Sequence, residues 1–404
     1  MLNIRRHLTL GLLICAALAA HAQSKYDCGK PFGWACCTSL TSGDDYTVTG
    51  GNATENGAKP KTITLQANGK DMRDDIISAI EQNDIIVLDG SKGEFIVSHS
   101  MPLKELRNKT IIGKNHAVVS TQFKLTPEIH DLMNKNHVLD LPTSGTGELH
   151  VLPNGAKVKE DCEFAIRGLL IDYLHDKPER YRNAGLFQLA GCENVILRNI
   201  TLVGPGAIDV GGDDLLTITR GTRHVWVDHC EFVDGMDGNF DINGYSDFIS
   251  VTWTTFRYTV RTFVHANTNL VGSSDREQGN GEDNLNVTYA FCRWGEGCNQ
   301  RMPMVRFGTI HLLNDYYDCA NNSAAVNPRF HSEVLLDGCY FEKGVMNIFK
   351  EKDARSFQFR NCHYSEKFSQ PADRGAVSIP YAYKTMPTSS VPKEVKKWAG
   401  ATLK

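Results

Sequence analysis

After its first 22 residues the chain has no long apolar run, so nothing in the rest reads as a membrane-spanning helix. It has little net charge, −4 with histidine neutral, which argues against general electrostatic capture of nucleic acid. It lacks any zinc-type cysteine spacing. Eleven cysteines follow the first 22 residues: Cys28, Cys36, Cys37, Cys162, Cys192, Cys230, Cys292, Cys298, Cys319, Cys339 and Cys362. An odd number leaves at least one thiol unpaired whatever the redox compartment. With 41% hydrophobic and 22% charged residues, the composition excludes disorder.

What is present begins with Arg5 and Arg6, then "LTLGLLICAALAA" and "AHAQ". A basic start, a short apolar stretch and an Ala-x-Ala pattern predict a signal peptide over 1–22, cut after Ala22. The protein is therefore expected to be secreted, extracellular or periplasmic, and soluble. In such a compartment the cluster Cys28, Cys36 and Cys37 is expected to pin an N-terminal segment, 23–70, by disulfides.

The remaining chain carries a repeat. Strand patterns recur as "IIVLD" (85–89), "TIIGK" (110–114), "FAIRG" (164–168), "VILRN" (195–199) and "VWVDH" (225–229). They continue as "ISVTW" (249–253), "LNVTY" (285–289), "IHLLN" (310–314), "VLLDG" (334–338) and "FQFRN" (357–361). Their last positions differ by 25, 54, 31, 30, 24, 36, 25, 24 and 23, a base period of 23 to 25 with insertions or a skipped coil. A sandwich has turn signals every 8 to 12 residues, and a leucine-rich repeat needs a Leu and Asn spacing that is missing here. One β-rich pattern per unit, with no helical pattern between, predicts an all-β solenoid of parallel strands over 71–404. Stacking of coils lets so long a stretch be one domain. "DMRDDIISAIE" (71–81) places Met72, Ile76 and Ile80 on one helical face, suited to capping the N-terminal end. The tail, "PYAYKTMPTSSVPKEVKKWAGATLK", reads as a loop and short helix laid back along the coils.

In such a stack, residues at matching phase become neighbours about 4.8 Å apart. Asp213 and Asp214 precede "LLTIT", Asp237 and Asp241 frame "GNF", and Arg301 and Arg306 flank Pro303. Pro303 removes a ladder donor and predicts a bend that lets the two guanidiniums converge. The carboxylates and guanidiniums thus share one edge. Clustered carboxylate oxygens suit calcium, a hard ion. From composition alone these aspartates read first as turn and cap residues. Asp228 and His229, inside a strand pattern, read as a structural pair rather than as acid and base. Trp226, Trp253 and Trp294 read as packing, and "GSSDREQGNGED" (272–283) as a polar loop.

Several segments together resemble the extracellular pectate lyases. They are "NKTIIGKN" (108–115), "GDDLLTI" (212–218), "VWVDHCEF" (225–232), "DGNFDINGYSDFISV" (237–251), "NLVGSSD" (269–275), "RMPMVRFGTIHLLNDYY" (301–317) and the tail, in that family's order. The resemblance implies a single-stranded right-handed parallel β-helix. It implies Arg301 as Brønsted base and Arg306 as contact for a substrate carboxylate. It maps calcium ligands onto Asp214, Asp237 and Asp241. A further ligand position falls on Gly212, which cannot serve, so Asp213 or a water takes its place. Where the family has lysines, this chain has Asn243 and Asn267, so Asn267 joins the substrate-binding set. Arg257, Arg261 and Arg276 are candidates for the missing positive charge, with Arg276 taken into that set.

The expectation is a monomeric, calcium-dependent pectate lyase acting on polygalacturonate, an acidic polysaccharide, by β-elimination. A guanidinium is ordinarily charged, so a base of this kind needs rising pH and the expected optimum is alkaline. The alternatives are a pectin lyase acting on methyl-esterified chains and a non-catalytic uronan-binding β-helix. The acidic cluster weighs against the first, and the Arg301, Pro303, Arg306 element against the second.

Overall fold

The computed structural model describes residues 23–53, 58–123, 149–151, 157–159, 184–206, 213–259, 265–277 and 284–404. The expected signal peptide, the "FAIRG" pattern, Cys162, Gly212 and Arg261 lie outside the described residues.

Three long parallel sheets account for nearly all the described strands. The first sheet stacks Thr62–Gln66, Ile85–Asp89, Arg107–Lys114, Glu193–Arg198, Arg223–Asp228, Asp247–Thr252, Val287–Ala290, Thr309–Leu313, Glu333–Asp337 and Ser356–Arg360, in chain order. The second runs from Phe95–Val97 to His363–Tyr364, and the third from Met101–Lys104 to Asn327–Pro328. Each coil of chain visits the first, second and third sheets in turn, which is a parallel β-helix.

Every strand pattern of the sequence that falls on described residues lies in the first sheet. The register also places the longest interval of the repeat. Arg107–Lys114 pairs directly with Glu193–Arg198, Thr110 opposite Ile196. These two strand patterns are therefore adjacent rungs of the sheet. The long interval is an insertion that leaves the second sheet after Val118–Thr121 and returns at Phe187–Ala190 of the third.

The register explains the interior. Val195, Val225, Ile249, Val287, Ile310, Val334 and Phe357 share one phase, and all are buried in one core. Behind the second sheet Phe232, Phe256, Trp294, Tyr317, Phe341 and Tyr364 stack ring on ring, centroids 4.5 to 5.5 Å apart. Such contacts add about 0.5–1.5 kcal/mol per pair beyond the area they bury. The helix expected near 71–81 forms over Arg73–Gln82, and Ile76, Ala79 and Ile80 join the core.

The opposite face of the first sheet is covered by the chain's own ends. Gly33–Cys36 forms a short 3-10 turn on it. Trp34 N donates to Thr288 Oγ1 at 3.0 Å and Ala35 N to Ser250 Oγ at 3.0 Å. Gly33 lies so close that a Cβ there would stand 2.6 Å from Thr288 Oγ1, and its φ of +84° suits glycine alone. From the tail, Tyr381 Oη meets Thr288 Oγ1 at 2.6 Å and His311 Nδ1 at 2.8 Å. The expected disulfide pin is not formed among the described residues. All ten described cysteines, Cys28, Cys36 and Cys37 among them, are free thiols. Cys36 packs with Val48, Ile196 and Trp226, and Cys37 with Trp34, Phe248 and Tyr381, so the adjacent side chains enter different clusters. Hydrogen bonds and Trp34 hold the segment instead.

The tail lies against the turn between first and second sheets. Its helix, Val391–Trp398, buries Val391 and Val395 against Trp253, Phe291, Leu313 and Tyr316. Asn199 and Asn314, both left-handed at φ +58° and +50°, clasp the backbones of Leu403 and Met386. Among the described residues no helix is long and apolar enough to cross a membrane.

Candidate active site

In four successive coils the described residues between the second and third sheets lie outside the named strands, at 204–206 and 213–215, 234–239, 258–259 and 265–268, and 295–303. Stacking brings these connections side by side, and they carry Asp214, Asp237, His265, Asn267 and Arg301. Asp241 belongs to the third sheet itself, on Phe240–Ile242, paired with Thr217 on one side and Leu270 on the other.

Asp214 is buried beside Gly238, where a Cβ would sit 2.7 Å from Asp214 Oδ1. Glycine at 238 leaves room for that carboxylate. Thr217 Oγ1 donates to Asp214 Oδ2 at 3.3 Å, and Leu270 N donates to Asp241 Oδ1 at 3.1 Å. Burial raises the Asp214 pKa well above the carboxylate range, and the charges of Asp241 and Asp237 raise it further. Burial raises Asp241 too; Arg301 pulls it back and Asp237 adds to the rise. These residues therefore share one electrostatic site, in which Arg301 is the cation felt by both Asp214 and Asp241. Asp237 Oδ1 lies 3.2 Å from His265 Nε2, and the Asn267 side-chain amide lies 2.8 Å from the same ring nitrogen.

Arg301 has φ +61°, a left-handed conformation uncommon for a residue with a side chain, and precedes a cis Met302–Pro303 peptide. Asn269 N donates to its carbonyl at 2.7 Å, which fixes the bend to the neighbouring coil. Its Nε is buried without a hydrogen-bond partner, and its charge is felt by both Asp214 and Asp241. Arg306 follows the two-residue strand Met304–Val305, and its Nε donates to Asp275 Oδ1 at 2.7 Å.

Other expected residues are placed apart. Asp213 turns away: its Oδ2 accepts from Ser100 Oγ at 2.7 Å, as neighbours on an extended chain face opposite sides. Arg257 Nε is bonded to Glu231 at 2.7 Å in the second sheet, and Arg276 is exposed on the loop after Val271. Asp228 and His229 are buried 2.9 Å apart, with Arg198 Nε 2.8 Å from Asp228. Trp226, Trp253 and Trp294 are all buried.

Residues 179–403, more than half the chain, match the sequence family described as pectate lyase. The chain belongs to the pectate lyase family. Among curated pectate lyases it is 33% identical over 162 residues to the probable pectate lyase B of Aspergillus terreus, covering 38% of this chain and 46% of that protein. It is 28% identical over 225 residues to pectate lyase A of Emericella nidulans, covering 54% of this chain and 64% of that protein. The chain spans about half the length of the curated relatives it matches. Its fold is similar to that of the Bacillus sp. N165 pectate lyase Bsp165PelA, solved in complex with trigalacturonate, with TM-score 0.58 and 15% identity over 92% of this chain and 99% of that one. Pectate lyase C of Erwinia chrysanthemi, solved with Ca2+, gives TM-score 0.52 and 16% identity over 87% and 96%.

Two site residues of this pectate lyase family chain escaped sequence reasoning. Glu277 accepts from the backbone N–H groups of Gly244 and Ser273 and lies close enough to raise the Asp241 pKa. His265 bridges Asp237 and Asn267. Glu277 had no signal beyond one acid in a polar loop, and a lone histidine in an irregular connection carries none.

Among the described residues no three His, Cys, Asp or Glu side chains stand close enough to hold one ion as placed. The donor chemistry nevertheless fits a hard cation: the charges of Asp237 and Asp241 raise the proton affinity of buried Asp214, and that of Asp237 raises Asp241, so the cluster calls for positive charge.

Proposed function

We propose that the chain is a calcium-dependent pectate lyase that cleaves α-1,4-linked galacturonan by β-elimination. One observation carries this reading: Asp214, Asp237 and Asp241 act on one another electrostatically beside a guanidinium, Arg301, that has no ion pair among the described residues. Asp214 and Asp241 would hold the cation, with Asp237 completing the set and Glu277 the nearest further carboxylate. Calcium, when bound, supplies charge that stabilises the anion developing next to the uronate carboxylate.

The rest of the chemistry falls to the chain's own residues. Arg301 takes the proton from the carbon bearing the carboxylate. The electron pair forms the new double bond, the bond to the 4-linked oxygen breaks, and that oxygen leaves with a proton from solvent. Arg306 holds a substrate carboxylate by its planar fork of donors, which matches two carboxylate oxygens. Asn267, kept against His265, offers an uncharged polar group to the polymer, and the exposed Arg276 adds long-range attraction for it.

The test is absorbance near 235 nm, where the unsaturated product absorbs, with polygalacturonate as substrate. Product is expected with calcium and none after chelation. Product that persists in chelator and prefers esterified pectin supports a pectin lyase, and binding without product supports a non-catalytic uronan binder.

A further inference from the structure

Arg306 already holds an anion. Its Nε donates to Asp275 Oδ1 at 2.7 Å, and its Nη1 donates to the Gly272 carbonyl at 3.0 Å and lies 3.7 Å from Met304 Sδ. The Arg306 side chain is 18% exposed and that of Asp275 62%. A mostly buried guanidinium thus offers its charge to a carboxylate standing mostly in water. The loop that carries Asp275 is tied to the coil of Asp241. Gly272 N donates to the Ile242 carbonyl at 2.9 Å, and Glu277 receives the N–H of Gly244. Asp275 is therefore held at the edge of the acid cluster by the same segment that supplies Glu277.

A uronate carboxylate has the chemistry of the Asp275 side chain: planar, singly charged, with two oxygens for one guanidinium. The geometry points to Asp275 as an internal stand-in for the substrate carboxylate and a specificity-determining residue. It keeps Arg306 oriented while no polymer is bound, and it is exchanged for a uronate when polymer arrives. A partly exposed ion pair is weak, so the exchange is nearly balanced. An esterified residue offers no anion and leaves the Arg306–Asp275 pair in place. Asp275 thereby lowers affinity for the acid and leaves affinity for the ester untouched, which narrows discrimination between them.

This inference rests on the pectate lyase reading, and one set of measurements separates the two. Trigalacturonate and its fully methyl-esterified form are titrated calorimetrically into the wild type, Asp275→Asn and Asp275→Ala, with calcium present. Both variants are expected to bind trigalacturonate two- to about fivefold more tightly, the range of a partly exposed pair. The ester should bind as before. On polygalacturonate KM should fall with kcat within about twofold, a split that loss of mere structural support does not produce. In an Arg306→Gln background Asp275→Asn should change nothing. A wild type that binds and cleaves, with both variants binding no tighter, overturns the inference alone. A wild type that neither binds trigalacturonate nor releases unsaturated product overturns both readings.

Discussion

The outer face of the first sheet and the turns leading into the third handle buried ionisable groups in opposite ways. On the first-sheet face His311 sits fully buried under the tail, its Nδ1 against Tyr381 Oη, and burial together with Arg360 holds its pKa down to about 3. The ring stays neutral and packed. At the third sheet, desolvation and the charges of Asp241 and Asp237 push the pKa of buried Asp214 up, and desolvation with the charges of Asp237 and Glu277 raises that of half-buried Asp241. One region neutralises or pairs the charges it buries, as in the Arg198–Asp228 pair; the other gathers Asp214, Asp237 and Asp241 near one guanidinium, Arg301. The same stacking rule gives both, since residues at one phase become neighbours whether they are isoleucines or aspartates. A region that resolves its electrostatics internally serves the fold. One that leaves them unresolved is ready for something from solution.

The strongest way to break this comparison is at Arg301. Arg301→Lys should lower kcat on polygalacturonate by at least about 100-fold, the scale of a lost proton-transfer group, while retention of the polymer stays within about twofold. Activity that survives would mean the crowded acids do not mark the chemistry. Next comes the covering of the first sheet. Trp34→Ala should cost about 3–5 kcal/mol in denaturant unfolding, whereas Cys28→Ser, at an exposed thiol, should leave the midpoint unmoved. A large effect at Cys28 would restore a covalent pin. The smallest expected effect is in pH. An unfolded histidine takes a proton near pH 6.5, while folded His311 waits until about pH 3. Stability from the neutral ring is present above pH 6.5 and is lost as pH falls from there to 3. The raised carboxylates have the reverse sign, their cost appearing as pH rises. His311→Gln should therefore flatten the acid limb, measured as urea midpoints at pH 4 and pH 7.

The first sheet was legible because its strands, four to eight residues rich in Val, Ile and Leu, repeat at a near-constant period. The other two sheets were not, since strands such as Arg293–Trp294 and Met304–Val305 are too short to show alternation. The N-terminal cover was misread as disulfide-bonded because its real partners, Ser250 and Thr288, are more than 200 residues away. Asp214, Asp237, Asp241 and Arg301 could be named from motif order. Asp213 could have been set aside by strand alternation alone. Asp275 and Glu277 could not be found, because their meaning comes from Arg306 and Gly244, which only coil stacking brings near.

The insertion between Val118–Thr121 and Phe187–Ala190 departs and rejoins at adjoining rungs. Its return, at Gly185, would press a Cβ to within 2.3 Å of Asp213. Its described strands, Leu149–Val151 and Lys157–Lys159, pair only with each other, so the three parallel sheets are complete without them, yet the excursion rejoins next door to Asp213 and Asp214. The scaffold thus sets its frame by coil-on-coil pairing alone and leaves that excursion to enter it at a single doorway beside the carboxylates.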